Sequence, residues 1–209
     1  MAGDFHRPAH FGGSEFEAFP GGEDPAAVMR AAHESARALL ARAQHAEDPA
    51  VLDRLVHYTD EHGIDALAEL WARSAPHSLP GALWRIYLIR AVIIQDPDGV
   101  AILFQRGTEI LRTIDPVVAG APTPAGPQEV TELADRILRG VFEGDFAIAL
   151  ERAAAFCRVT AAGATDVADD QEAADPRRAS ELTTRALRLS TTAEELAACA
   201  RMSRAGTLD

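Results

Sequence analysis

The 209-residue chain carries 32 acidic and 20 basic side chains, a formal net charge of -12, and 47% of its residues are apolar. That length suits one large domain or two small ones, able to bury roughly 70% of the surface an unfolded chain exposes without a metal or disulfide to hold it. The charge disfavours nucleic acid and anionic membrane surfaces as partners. Every basic residue is arginine, and lysine is absent, which excludes Schiff-base catalysis and a P-loop lysine.

Residues 1–23 are rich in Gly and Phe. Phe5, Phe11, Phe16 and Phe19 are half of the eight phenylalanines. Such a composition does not fold alone. Large aromatics spaced along a polar segment are what a docking peptide carries. These four are therefore candidate partner-binding residues, with packing on the chain's own helices as the alternative. The start, MAGDFHRPAH, lacks the apolar core of a secretory signal.

Helices are predicted near 25–46, 49–62, 65–73, 80–94 and 98–114. Asp-Pro marks helix starts at positions 24, 48, 96 and 175, because Asp caps a free backbone N–H and Pro has none to leave unpaired. The first helix has an apolar stripe of Met29, Ala32, Ala36, Leu39, Leu40 and Ala43. The second has Leu52, Leu55, Val56 and Thr59 and stops at Gly63. The match between Asp24-Pro-Ala-x-Val-x-Arg-x-x-His33 and Asp48-Pro-Ala-x-Leu-x-Arg-x-x-His57 is read as two similarly capped helices, not as an array. Residues 83–94 are apolar on all sides, which predicts a helix in the middle of a bundle. Arg85 and Arg90 interrupt that run, and it is too short and too charged to span a bilayer.

Asp115-Pro116 opens an Ala-, Gly- and Pro-rich stretch read as a linker over 116–127. Helices follow near 128–141, 145–164, 176–189 and 192–204. An acidic connector with Asp166, Asp169, Asp170, Glu172 and Asp175 precedes the last two. The final helix opens with Thr191-x-x-Glu194, a capping-box pattern. The fold expected is all-α, a bundle of about nine helices: a tail over 1–23, a helical bundle over 24–115, and a second helical layer or subdomain over 128–209.

All seven histidines lie at or before position 77. Asp53, His57 and Glu61 follow i, i+4, i+8 spacing and share one helix face. They are candidate metal ligands, set against the plainer reading of a solvated charged face. No Gly-x-Ser-x-Gly, Gly-x-Gly-x-x-Gly or calcium-loop pattern occurs. No cofactor is expected, and no catalytic residue is assigned. Cys157 and Cys199 fall on core stripes as inert free thiols, which suits a cytoplasmic protein. Arg85 and Arg90 must snorkel, pair with a carboxylate, or meet an anionic ligand. Asp60, Asp65 and Glu69 are the partners expected, and a ligand-binding role is the alternative.

The Ala- and Arg-rich composition with Asp-Pro helix caps resembles uncharacterised helical proteins of actinobacteria. The resemblance is one of style and not of motif. It implies an all-helical fold and transfers no site. The function expected is that of an interaction or adaptor protein of the bacterial cytoplasm, binding rather than catalysing, with a protein partner or self-association. The alternative is a helical-bundle enzyme or small-ligand binder using Asp53, His57 and Glu61 with Arg85 or Arg90. A pocket where these groups converge would favour the second, and exposed apolar surface the first.

Overall fold

The computed structural model describes residues 24–44, 70–122 and 124–209. Phe5, Phe11, Phe16, Phe19, Asp53, His57 and Glu61 lie outside the described residues, as do the predicted helix near 49–62 and most of that near 65–73. Every regular element among the described residues is a helix. These are α1 (Pro25–Gln44), α2 (Leu79–Gln95), α3 (Pro97–Ile110), α4 (Asp115–Ala119), α5 (Pro127–Glu143), α6 (Phe146–Gln171) and α7 (Pro176–Arg204). None is long and apolar enough to cross a membrane.

Local chemistry sets most of the starts. The carboxylates of Asp24, Asp96 and Asp175 accept backbone N–H bonds from Ala26, Gly99 and Arg178, and in each case Pro is the first helical residue. Asp145 caps α6 by accepting from Ala147 and Ile148. Ser78 caps α2 by accepting from Gly81 at 3.2 Å. The Asp-Pro at 115 also starts a helix, so the stretch read as a linker contains α4. Its Ala119 is fully buried, and it ends at Gly120 with φ 79°, a left-handed turn that favours glycine. Arg158 of α6 donates to Asp115 at 2.8 Å and ties α4 to the bundle.

Two boundaries differ from expectation. The helices predicted at 176–189 and 192–204 are one helix, α7. Thr191 does not cap: its hydroxyl donates to the Leu187 carbonyl and Thr192 to that of Arg188, four residues back in an unbroken ladder. The acidic connector is partly helical as well. Asp166 and Asp170 lie one turn apart near the end of α6 and both pair with Arg106 of α3.

The middle of the fold is α6, which packs against α2, α3, α4, α5 and α7. Its buried positions include Ala149, Ala153, Ala154, Ala155, Ala161, Gly163 and Ala164. Small side chains on several faces let neighbours approach closely. The tightest crossing is with α3, where Gly107 backs onto Val159 and Gly163 onto Leu103. Phe104 and Phe156 stack beside it, ring centroids 5.3 Å apart and 16° from parallel. The all-round apolar helix, α2, is not the central one. It buries Leu83, Ile86, Tyr87, Ile89 and Ile93, yet leaves Leu88, Val92 and Ile94 about 40% exposed.

A candidate binding groove between α2 and α7

The exposed side of α2 faces α7 across α6. Arg85 of α2 pairs with Glu195 of α7, and Arg185 of α7 lies 3.6 Å from Asp96 at the far end of α2. The residue order on the two helices is therefore opposed, and α2 and α7 run antiparallel. Between the two bridges they stand apart. Arg85 to Asp96 spans about 16 Å at 1.5 Å per helical residue. The opening encloses about 630 Å³, within the usual range for ligand pockets, roughly 300–1,000 Å³.

The floor is apolar and rigid. Ile89 and Ile93 of α2, Val100 of α3 and Phe156 of α6 line it, all buried in the core. Thr160 also lies there, but its hydroxyl is spent on the Phe156 carbonyl at 2.9 Å. The walls are Leu88 and Val92 on one side and Leu189 and Thr192 on the other. Polar groups stand only at the α7 rim: Ser180, Glu181, Thr184, Arg185 and Arg188. Glu181 lies 3.5 Å from Arg178, and among the described residues Arg185 makes only the long bridge to Asp96. Arg188 has no carboxylate partner among the described residues. The site thus offers an apolar slot with a positive edge.

The two arginines singled out from sequence are held elsewhere. Arg85 donates to Glu195 and, from Nη1, to the Gly81 carbonyl at 2.9 Å. Arg90 is 8% exposed and donates to Asp135 of α5 at 2.8 Å. The carboxylate pairing expected for them is present, supplied by α7 and α5; Asp60, Asp65 and Glu69, the partners expected from sequence, lie outside the described residues. Asp135 keeps about a third of its side chain in water, so it is not a fully buried charge. Arg90→Met is accordingly expected to cost about 1–2 kcal/mol, less than the 3–5 that follow when one partner of a buried pair is removed. Denaturant unfolding measures this, and an unchanged midpoint would show that the pair contributes nothing.

Both cysteines are free and buried. Burial pushes the Cys157 thiol up to about 12 against a weaker opposing effect of Arg158. Burial also raises Cys199, whose thiol lies 3.4 Å from the Pro76 carbonyl as a donor. Tyr87, next to Trp71 in the core, is likewise pushed up to about 12 by burial, with the Arg90 charge opposing. Neither thiol should react with a disulfide reagent at pH 8 until the protein unfolds. The unfolded chain loses these protons first, so the stability from Cys157 and Tyr87 is complete below their ordinary values of 9.0 and 10.0. It should decline as pH rises towards 12, by at most about 1.4 kcal/mol per group per pH unit. Rapid labelling of the native protein, or flat stability above pH 9, would contradict this.

Among the described residues no group of three His, Cys, Asp or Glu side chains could hold a metal ion. The groove escaped the sequence reading because its walls come from residues about a hundred positions apart. The one local hint is Leu88 and Val92, four apart on a helix too apolar for all of its sides to be covered. No protein family matches the chain, and neither a curated protein nor a solved structure shows significant similarity to it.

Proposed function

We propose that the chain is an interaction protein, working by binding rather than catalysis, whose groove between α2 and α7 receives an apolar segment of a protein partner. The observation that supports this is the groove itself: a core-backed apolar floor, half-exposed Leu88 and Val92, and at the rim Arg188, which has no carboxylate partner among the described residues. An exposed apolar face of this kind is what protein recognition uses. Side chains at i, i+3 or i+4 and i+7 of one helical face span about 10 Å and fit within a slot about 16 Å long. The Arg188 guanidinium at the rim favours a segment that also carries carboxylates. Arg85 and Arg90 lend no weight to an anion-binding enzyme site, since each is held by a carboxylate.

The test is selection of displayed peptides on the wild-type protein, with counter-selection on the Leu88→Glu, Val92→Glu double variant. Both residues are exposed enough to accept charge without disturbing the core. Enrichment of peptides pairing bulky apolar residues with Asp or Glu is expected, with affinity at least tenfold weaker for the double variant. No enrichment, or binding indifferent to the two substitutions, would overturn the reading.

A further inference from the structure

We infer that the partner presents the groove with an amphipathic α-helix that carries carboxylates on one flank only, the flank turned to α7. The inference rests on the groove being a docking site and names the form its occupant takes. It follows from which polar atoms the slot leaves available. Walls and floor are helix interiors, whose backbone N–H and C=O groups are already paired within their own helices. The hydroxyls along the slot are spent as donors: Thr160 donates to the Phe156 carbonyl, Thr184 to that of Ser180 and Thr192 to that of Arg188, each at 2.9 Å. An extended segment laid in the slot would turn its backbone groups sideways, against Leu88 and Val92 on one side and Leu189 on the other. Its carbonyls would find no donor there, and a buried polar group without a partner is costly. A helix pairs its own backbone groups and brings only side chains to the floor.

The dimensions agree. A volume of about 630 Å³ spread over about 16 Å gives a cross-section of about 40 Å², enough for one row of side chains and too narrow for a whole helix about 10 Å across. The helix therefore lies along the rims and inserts one row, with a flank against each wall. Those walls differ in charge. Between Arg85 and Asp96 the only charged residue of α2 is Arg90, which is buried and held by Asp135. The α2 wall thus offers Leu88 and Val92 and no accessible charge. The α7 wall offers Arg185 and Arg188, three apart on one face, and Arg188 has no carboxylate partner among the described residues. Glu181 at the same wall is turned to Arg178. Carboxylates one turn apart on the α7 flank would meet the two guanidiniums, whereas carboxylates on the other flank would lie over apolar side chains.

The test uses an alanine-based model peptide of about 15 residues, with leucines at i, i+4 and i+7 and a pair of glutamates on one flank. Calorimetry measures its binding to the full-length chain, and the Cα chemical shifts of the bound peptide report its conformation. Helical shifts are expected on binding. A lactam staple on the solvent face should tighten binding at least fivefold, and a proline in the middle of that face should weaken it at least tenfold. Replacing the glutamates by arginines should weaken binding at least tenfold on wild type, and that peptide should regain affinity at least threefold on Arg188→Glu. No binding, equal affinity for stapled, linear and proline-containing peptides, or indifference to the sign of the flank would overturn the helical occupant. If extended peptides bind instead and lose affinity on Leu88→Glu with Val92→Glu, the groove reading stands without the helix. If neither kind responds to that double variant, both readings fall.

Discussion

Gly163→Ala is expected to destabilise the protein by about 2–3 kcal/mol, although alanine is the better helix former by about 1 kcal/mol. A Cβ at 163 would overlap the Leu103 carbonyl oxygen and crowd the Gly107 amide, both backbone atoms of α3 that no rotamer change can move. The central helix and α3 would have to part, and the Phe104–Phe156 stack beside them would loosen. A fall in melting temperature of roughly 4–12 °C follows for a chain of this size. Gly140→Ala supplies the contrast. Its Cβ would meet only the Ala149 methyl at 3.5 Å, an ordinary contact, so a gain of up to about 1 kcal/mol is expected there. If both substitutions moved stability in the same direction, the close crossing of α3 and α6 would be wrong.

Phe156→Ala is expected to cost about 3–5 kcal/mol, the usual range for truncating a buried phenylalanine. Phe156 is 2% exposed and stacks on Phe104. It also forms part of the groove floor. The substitution should therefore deepen the slot as well as weaken the core. Calorimetry reads the first effect, and a larger aromatic group accepted by the groove reads the second. A loss below about 1 kcal/mol would mean that the space collapses and the floor is not rigid.

The parts of the fold legible in sequence are those set within a few residues. Asp-Pro at 24, 96 and 175 caps helices because a carboxylate and the amide it accepts from lie two or three positions apart. The same logic holds at 115, but the Gly and Pro that follow look like a linker. What makes a helix of 115–119 is tertiary: Arg158, 43 residues away, holds Asp115. Burial alone would raise the Asp115 carboxyl, yet the hydrogen bonds from Arg158 and Thr113 and the Arg158 charge outweigh it and hold it below its ordinary value. Thr191 and Glu194 match a capping box, but a hydroxyl can bond back to the fourth preceding carbonyl equally well, and in α7 it does so.

Choosing the central helix by hydrophobicity alone fails for a physical reason. Large apolar side chains on every side, as in α2, keep neighbours at a distance and leave some of them exposed. Alanine and glycine on several sides, as in α6, let five helices close in. The Ala-rich run from 147 to 164 carried that signal in the sequence. The groove was beyond local reading, since Leu88 and Arg188 meet only through the antiparallel placement of α2 and α7.

The groove is tested most directly by titrating 1-anilinonaphthalene-8-sulfonate, an aromatic anion, into the full-length protein carrying labelled methyl groups. Concerted shifts of the Leu88, Ile89, Val92, Ile93 and Val100 methyls are predicted, saturable, and weakened at least fivefold by Arg188→Glu. Shifts confined to other surfaces, or unaffected by the charge at position 188, would contradict a binding groove between α2 and α7.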